Sequence, residues 1–208
     1  MKSFLNNNQL KIIALISMTI DHIGVQIFPG VTILRIIGRL AYPIFAYMIA
    51  EGARYTKNRR KYLLTISLTA LLCQLVYFFA LKSLDQCILV TFTLSILLIY
   101  FLEYRFLSLL SILACFFLTQ YVHIDYGFYG IMMPVILYLA NTKKKKLISG
   151  TIMLILISIS SGWIQWFSLV SVPLLALYNE KRGNLNLKYL FYIYYPVHLA
   201  VIYLISLI

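Results

Sequence analysis

Charge is scarce in this chain of 208 residues, and acidic charge is scarcer still: 12% of residues are charged, with 18 Lys and Arg against 6 Asp and Glu. A soluble domain carries roughly 25% charged and 45–50% apolar residues. Here 62% are hydrophobic, more apolar surface than a water-borne fold of this size can bury, and the same figures exclude a disordered chain. Cysteine is rare as well. Cys73, Cys87 and Cys115 stand far apart in apolar sequence, which argues against a disulfide framework and makes them packing residues. Three scattered histidines without ligand spacing give no metal site. A phosphate-binding glycine-rich loop, a serine-nucleophile elbow and a catalytic-cysteine context are all missing. The net charge of +12 would suit nucleic acid if the basic residues shared one solvated face. They fall instead between apolar runs, so membrane lipid, and not nucleic acid, is the expected partner.

Those runs set the expected fold class: an all-α polytopic integral membrane protein, one domain over residues 1–208. A membrane helix needs about 20 mostly apolar residues. The sequence offers nine runs, at about 10–29, 31–52, 62–81, 86–102, 106–122, 126–141, 147–161, 163–178 and 189–207, with tight turns that leave a range of eight to ten. Pro29-Gly30 leads at once into the second run without a small-residue cleavage site, so the first run is retained as a span. With nine spans, Lys2, Lys11, the Arg54–Lys61 cluster, Arg105, Lys143 to Lys146, Lys181, Arg182 and Lys188 all fall on one side, and Lys82 alone on the other. The positive-inside rule makes the rich side cytoplasmic, the N-terminus inside and the C-terminus outside, in the plasma membrane. The tetralysine at 143–146 reads as an anchor at the lipid headgroups.

Ionisable residues inside the runs stand out, because each costs about 2.5–3.5 kcal/mol on insertion scales. They are Asp21, His22, Arg35, Arg39 and His198, with Glu51 near the inner end of the second span. Asp21 lies nine residues before Gly30 and Arg39 nine after it, so an antiparallel hairpin brings them to one depth as an ion pair. Arg35 is one turn away on the same face. His22 points about 100° from Asp21, so whatever orients it comes from another element. Lys11 is three turns earlier on nearly the same face, a rise of about 16 Å. That places a cation at the cytoplasmic mouth and an imidazole near mid-membrane, a span that suits an extended pantetheine-like arm. His198, behind Pro196 and the deep tyrosines Tyr194 and Tyr195, reaches a similar depth in the last span. His123, Asp125 and Tyr126 form a smaller polar set at the opposite side, readable as a substrate rim or as an ordinary turn.

Leu10-Lys11, Asp21-His22-Ile-Gly24, Leu34-Arg35-Ile-Ile-Gly38-Arg39-Leu-Ala-Tyr42-Pro43 through Glu51-Gly52, Tyr126-Gly-Phe-Tyr-Gly130, Leu177-Tyr178-Asn179 and Tyr195-Pro196-Val-His198 together resemble the TraX family, in order along nearly the whole chain. That resemblance implies a membrane acetyltransferase with acetyl-CoA as donor, since the family's first described member is linked to N-terminal acetylation of conjugative pilin. Lys11-x10-His22 is also similar to the basic-x10-His pattern of the larger membrane acyltransferase group, with Lys where that pattern usually has Arg. By this resemblance His22 is the catalytic residue, with Arg35 and Arg39 as supporting sites. The expected division of labour follows. Lys11, Arg35, Glu51, Arg59, Arg60 and Tyr195 bind the acyl-CoA, Asp21 holds Arg39, Arg39 or Tyr195 stabilises the oxyanion, and His198 assists proton transfer. A small proton-coupled transporter and a non-catalytic assembly protein remain the rival readings, because paired buried charges serve those roles too.

Overall fold

The computed structural model describes residues 3–79, 82, 84–184 and 188–207, with backbone only for 188–190. Lys2 lies outside the described residues, as do the side chains of Lys188 and Tyr189. The regular elements of the described residues are all helical, with no strand beyond two isolated bridges, Leu5 to Tyr178 and Gln86 to Ile124. In chain order the helices are α1 (Asn7–Gln26), α2 (Thr32–Gly38), α3 (Ala41–Tyr55), α4 (Arg59–Phe79), α5 (Ile88–Phe101), α6 (Arg105–Tyr121), α7 (Gly127–Leu139), α8 (Lys143–Ser161), a 3₁₀ helix (Trp163–Val170), α9 (Ser171–Ala176) and α10 (Lys188–Ser206).

Each of the nine apolar runs therefore becomes helix, but two of them break. The second run divides at Arg39-Leu40 into α2 and α3. Pro43 lacks the N–H that would bond the carbonyl of Arg39, and its ring crowds that carbonyl, so the helix must restart. The eighth run is 3₁₀ as far as Val170 and then α. Two helical stretches are long and apolar enough to cross a membrane by that measure alone, Thr32–Tyr55 and Arg59–Phe79. The others fall short for physical reasons. A helix the length of α7 rises about 20 Å, less than the roughly 30 Å hydrocarbon core, and α8 begins with four lysines.

α3 is the central element, with eleven of its fifteen residues buried. It packs on α1, α5 and α7, while α1 also meets α2 and α10, and α8 lies against α7, the 3₁₀ helix and α9. Local signals fix the ends. Asn6 and Gln9 form a capping box at α1, with bonds of 3.0 and 2.9 Å. Asn58 caps α4 through the amide of Lys61 at 2.8 Å, and Gly162 ends α8 with φ of 92°.

The outward faces are apolar. Leu64, Leu68, Leu71 and Leu72 on α4, Phe106, Leu109, Leu110 and Phe117 on α6, and Ile193, Val197 and Leu204 on α10 are all exposed. Hydroxyls along the helices turn back on their own backbone: Thr19, Thr69, Thr93, Thr151 and Ser158 each donate to the carbonyl four residues earlier. All three cysteines are free and buried.

Candidate functional site: three adjoining cavities

Met18, Asp21, His22 and Val25 share one face of α1 and line a cavity of ≈ 590 Å³. Asp21 binds two guanidinium groups there. Its Oδ2 is 2.9 Å from Arg35 Nη1, and Arg39 Nη2 reaches Oδ1 at 2.7 Å and Oδ2 at 2.8 Å. The hairpin geometry read from the sequence thus places Asp21 and Arg39 together, with Arg35 added. Gly38 makes this approach possible: a Cβ on it would stand 2.1 Å from Asp21 Oδ1. Arg39 also donates through Nε to the Arg35 carbonyl at 3.2 Å and through Nη1 to Gln165 Oε1 at 3.2 Å. Asp85, Asp125, His123, Tyr126 and Tyr195 are among the other residues of the wall. Asp125, in the turn before α7, is pushed up to about 6 by burial, against the pull of His123 and Arg39.

His22 finds its partner on α10. The rings of His22 and His198 lie 5.2 Å apart, edge to face. His198 Nδ1 is 2.8 Å from the carbonyl of Tyr194; a carbonyl only accepts, so Nδ1 carries the hydrogen and Nε2 presents its lone pair. That Nε2 is buried and has no hydrogen-bond partner. Tyr194 stacks on His198 at 5.1 Å, and its hydroxyl is 2.6 Å from Thr19 Oγ1, which ties α10 to α1 one turn before His22.

Eleven residues before His22 on α1, Lys11 lines a second cavity of ≈ 650 Å³ at the end of the molecule that carries the basic residues. Asn7, Asn8, Glu51, Lys57, Tyr178, Glu180 and Arg182 are among its other walls. A narrower space of ≈ 150 Å³ lies between the two. It shares Lys11, Met48, Gly52, Tyr62 and Tyr192 with the basic-end cavity and Phe45 and Tyr195 with the His22 cavity. The three therefore adjoin in sequence from Lys11 to His22.

The expected donor-binding residues divide on this geometry. Lys11, Glu51 and Tyr195 line the chain of cavities, and Arg35 lines its His22 end. Arg59 instead pairs with Glu103 on the surface and lies over the Tyr100 ring. Arg60 is exposed, and neither arginine lines any of these cavities. Glu51 is buried, held by Lys146 Nζ at 2.9 Å and by the Tyr178 hydroxyl at 2.9 Å. The tetralysine is accordingly not a simple headgroup anchor. Lys146 is 5% exposed and lies against the Tyr47 ring, and Lys143 caps the carbonyls of Ala176 and Tyr178 at 2.7 and 2.5 Å. A four-lysine run at a helix start gives no sign of which lysine turns inward. Lys57 and Arg182, read from the sequence as part of the basic side, line the basic-end cavity, whereas Gln165 is a cavity residue that sequence reading passed over. A signal existed for Gln165, which begins a polar residue at every third place, Gln165, Ser168 and Ser171, in an otherwise apolar run.

The TraX protein family matches residues 6–206. A probable fimbrial assembly protein, FimC of serogroup H1, from Dichelobacter nodosus is 25% identical over 93% of this chain and 93% of its own length. An uncharacterised protein of Rickettsia prowazekii (strain Madrid E) is 32% identical over 66% of this chain, a match that spans 57% of that protein. No solved structure matches the chain.

Proposed function

The chain belongs to the TraX family, and on that premise we propose that it is a membrane-embedded acyltransferase drawing acetyl groups from cytoplasmic acetyl-CoA. The observation that carries this reading is the row of adjoining cavities, with Lys11 of α1 at one end, His22 of the same helix at the other, and a middle space walled by α3, α4, α5 and α10. Lys11, Lys57 and Arg182 give the wide basic mouth three cations for phosphate. The narrow middle accommodates a thin arm, and the His22 cavity has room for a thioester and an acceptor.

The membrane part of the proposal rests on the apolar outward faces, which in water would be an aggregation surface. It also rests on the hydroxyls that satisfy themselves within their own helices, the economical solution where no water is at hand. The bundle is multi-pass, with the basic end in the cytoplasm by the positive-inside rule. α1 begins there, and α10 ends on the opposite side.

In the reaction, His22 takes the proton from an acceptor amine or hydroxyl as that group attacks the thioester carbonyl carbon. The C–S bond then breaks, and the leaving thiolate receives the proton back from the imidazolium. His198, whose ring lies 5.2 Å from that of His22, is the neighbour that steadies the imidazolium while it is charged. Asp21 and Arg35 fix Arg39 at the cavity wall. The acceptor is a membrane or cell-surface substrate. A pilus-subunit amine is one such acceptor, a reading supported by the fimbrial assembly name of the Dichelobacter relative.

The test is acetyl-CoA binding and slow hydrolysis by the purified protein in detergent, beside His22→Ala. Saturable binding by both, with hydrolysis lost in the variant at an unchanged melting temperature, is the expected result. Full hydrolysis by His22→Ala would remove His22 from the chemistry. A folded wild type that binds no acetyl-CoA would favour a transporter or an assembly protein.

A further inference from the structure

The 3₁₀ helix is eight residues long, where such helices seldom run beyond three or four. Its three-residue turn stacks Gln165 and Ser168, and Ser171, the first residue of α9, continues the row; all three are buried, and an α-helix would fan them apart. The row begins at the wall of the His22 cavity, which Gln165 lines.

Gln165 is 2% exposed, and its amide is oriented by chemistry. Arg39 can only donate, so the group facing its Nη1 at 3.2 Å is the amide oxygen. The amide nitrogen is thereby left pointing elsewhere, buried and without an acceptor. Among buried polar groups that is uncommon and calls for an explanation. Arg39, a further donor at this wall, has each of its nitrogens engaged: Nε by the Arg35 carbonyl, Nη1 by Gln165 and Nη2 by Asp21.

Resting on the acyltransferase reading, we infer that the side-chain amide of Gln165 donates to the carbonyl oxygen of the transferred acyl group as negative charge builds on it. When the acceptor attacks the carbonyl carbon, the C=O electron pair moves onto oxygen. When the C–S bond breaks, the pair returns and the thiolate departs. The amide gives up no proton; its N–H is a fixed dipole that meets the charge without reorganising. Arg39 and Asp21 serve this residue by holding its oxygen, which makes Gln165 the catalytic group and Arg39 its positioning residue.

Two variants test the assignment in the acetyl-CoA hydrolysis assay, with melting temperatures recorded for each. Gln165→Glu keeps an oxygen for Arg39 and loses the N–H donors. Gln165→Met keeps the length and loses both. The expected result is a fall in kcat of about 10²-fold in both variants, with KM for acetyl-CoA unchanged. A Met variant that fails while the Glu variant works at the wild-type rate would show that the amide only holds Arg39, and would overturn the inference. So would wild-type kcat in both, or a change confined to KM. Absence of any turnover by folded wild-type protein would instead bring down the acyltransferase reading itself, and this assignment with it.

Discussion

Asp125 differs from the other two aspartates of the His22 cavity. Asp21 holds Arg35 and Arg39, and Asp85 meets His123 Nδ1 at 3.0 Å, whereas Asp125 has no ion pair among the described residues. Burial raises it, with Asp85 and Asp21 adding to that push and His123 and Arg39 opposing it, to about 6 from an ordinary 3.8. A carboxyl that ionises later in the folded state than in the unfolded one favours folding at low pH. That contribution is complete below about pH 4, fades as pH rises towards 6 and is gone above it. The melting temperature of Asp125→Asn, measured from pH 4 to 8 in detergent, is therefore expected to gain on the wild type across pH 4–6 and to stay above it thereafter. A difference that does not change with pH would mean the carboxyl titrates alike in both states. At this scale the sequence discloses the pairs that symmetry about a turn brings together, such as Asp21 and Arg39 around Gly30. It conceals partners from distant helices: Lys146 with Glu51, or Gln165 with Arg39, are joined only when α3, α8 and the 3₁₀ helix pack.

The elements that shape the cavities are those where regular helix fails. Pro43 divides α2 from α3 just at Arg39, and its ring also sits at the start of the most buried helix. Pro134 in α7 leaves the Gly130 carbonyl without its helical donor, and the Tyr42 hydroxyl supplies one at 2.9 Å. Apolar runs alone showed where helix forms, because burial and lipid both demand it. They did not show the breaks, although Pro43 and the period-three polar row around Gln165 were visible signals. α2 lies against α1 through Gly38 and Gly24, where a Cβ would meet Asp21 Oδ1 at 2.1 Å and Leu34 Cβ at 2.7 Å. Gly38→Ala is expected to cost about 1–3 kcal/mol, the usual range for overpacking. Thermal unfolding in detergent reads the loss. An unchanged melting temperature would mean that α2 shifts freely on α1, contrary to the packing described.

Across the whole molecule, acidic residues are sorted by type. The three aspartates line the His22 cavity. Glu51 and Glu180 line the basic-end cavity, and Glu103 pairs with Arg59. The basic end is knit together by Arg54 on the carbonyls of Tyr138 and Ala140, by Lys146 on Glu51, and by the Asn7 amide on the Lys181 carbonyl. The charge asymmetry read from the sequence thus corresponds to one end of a folded bundle, which makes its orientation measurable. With the three buried cysteines replaced, a cysteine at Lys57 or Lys144 is expected to resist a membrane-impermeant maleimide on intact cells and to react after permeabilisation. A cysteine at Gly30 or Gln120 should react from outside. Labelling of both ends from the same side would refute the multi-pass arrangement.

The middle cavity is small beside its neighbours, ≈ 150 Å³ against ≈ 650 and ≈ 590 Å³, and Phe45, Ile49, Ile66, Leu89, Phe92 and Phe191 supply much of its wall. A hydrated ion would have to shed its water to enter such a constriction and would find little there to replace it. A slender uncharged chain loses nothing by entering. On the proposed acyltransferase reading, the bundle would admit a chemical group from one compartment to the threshold of the other while staying closed to hydrated ions.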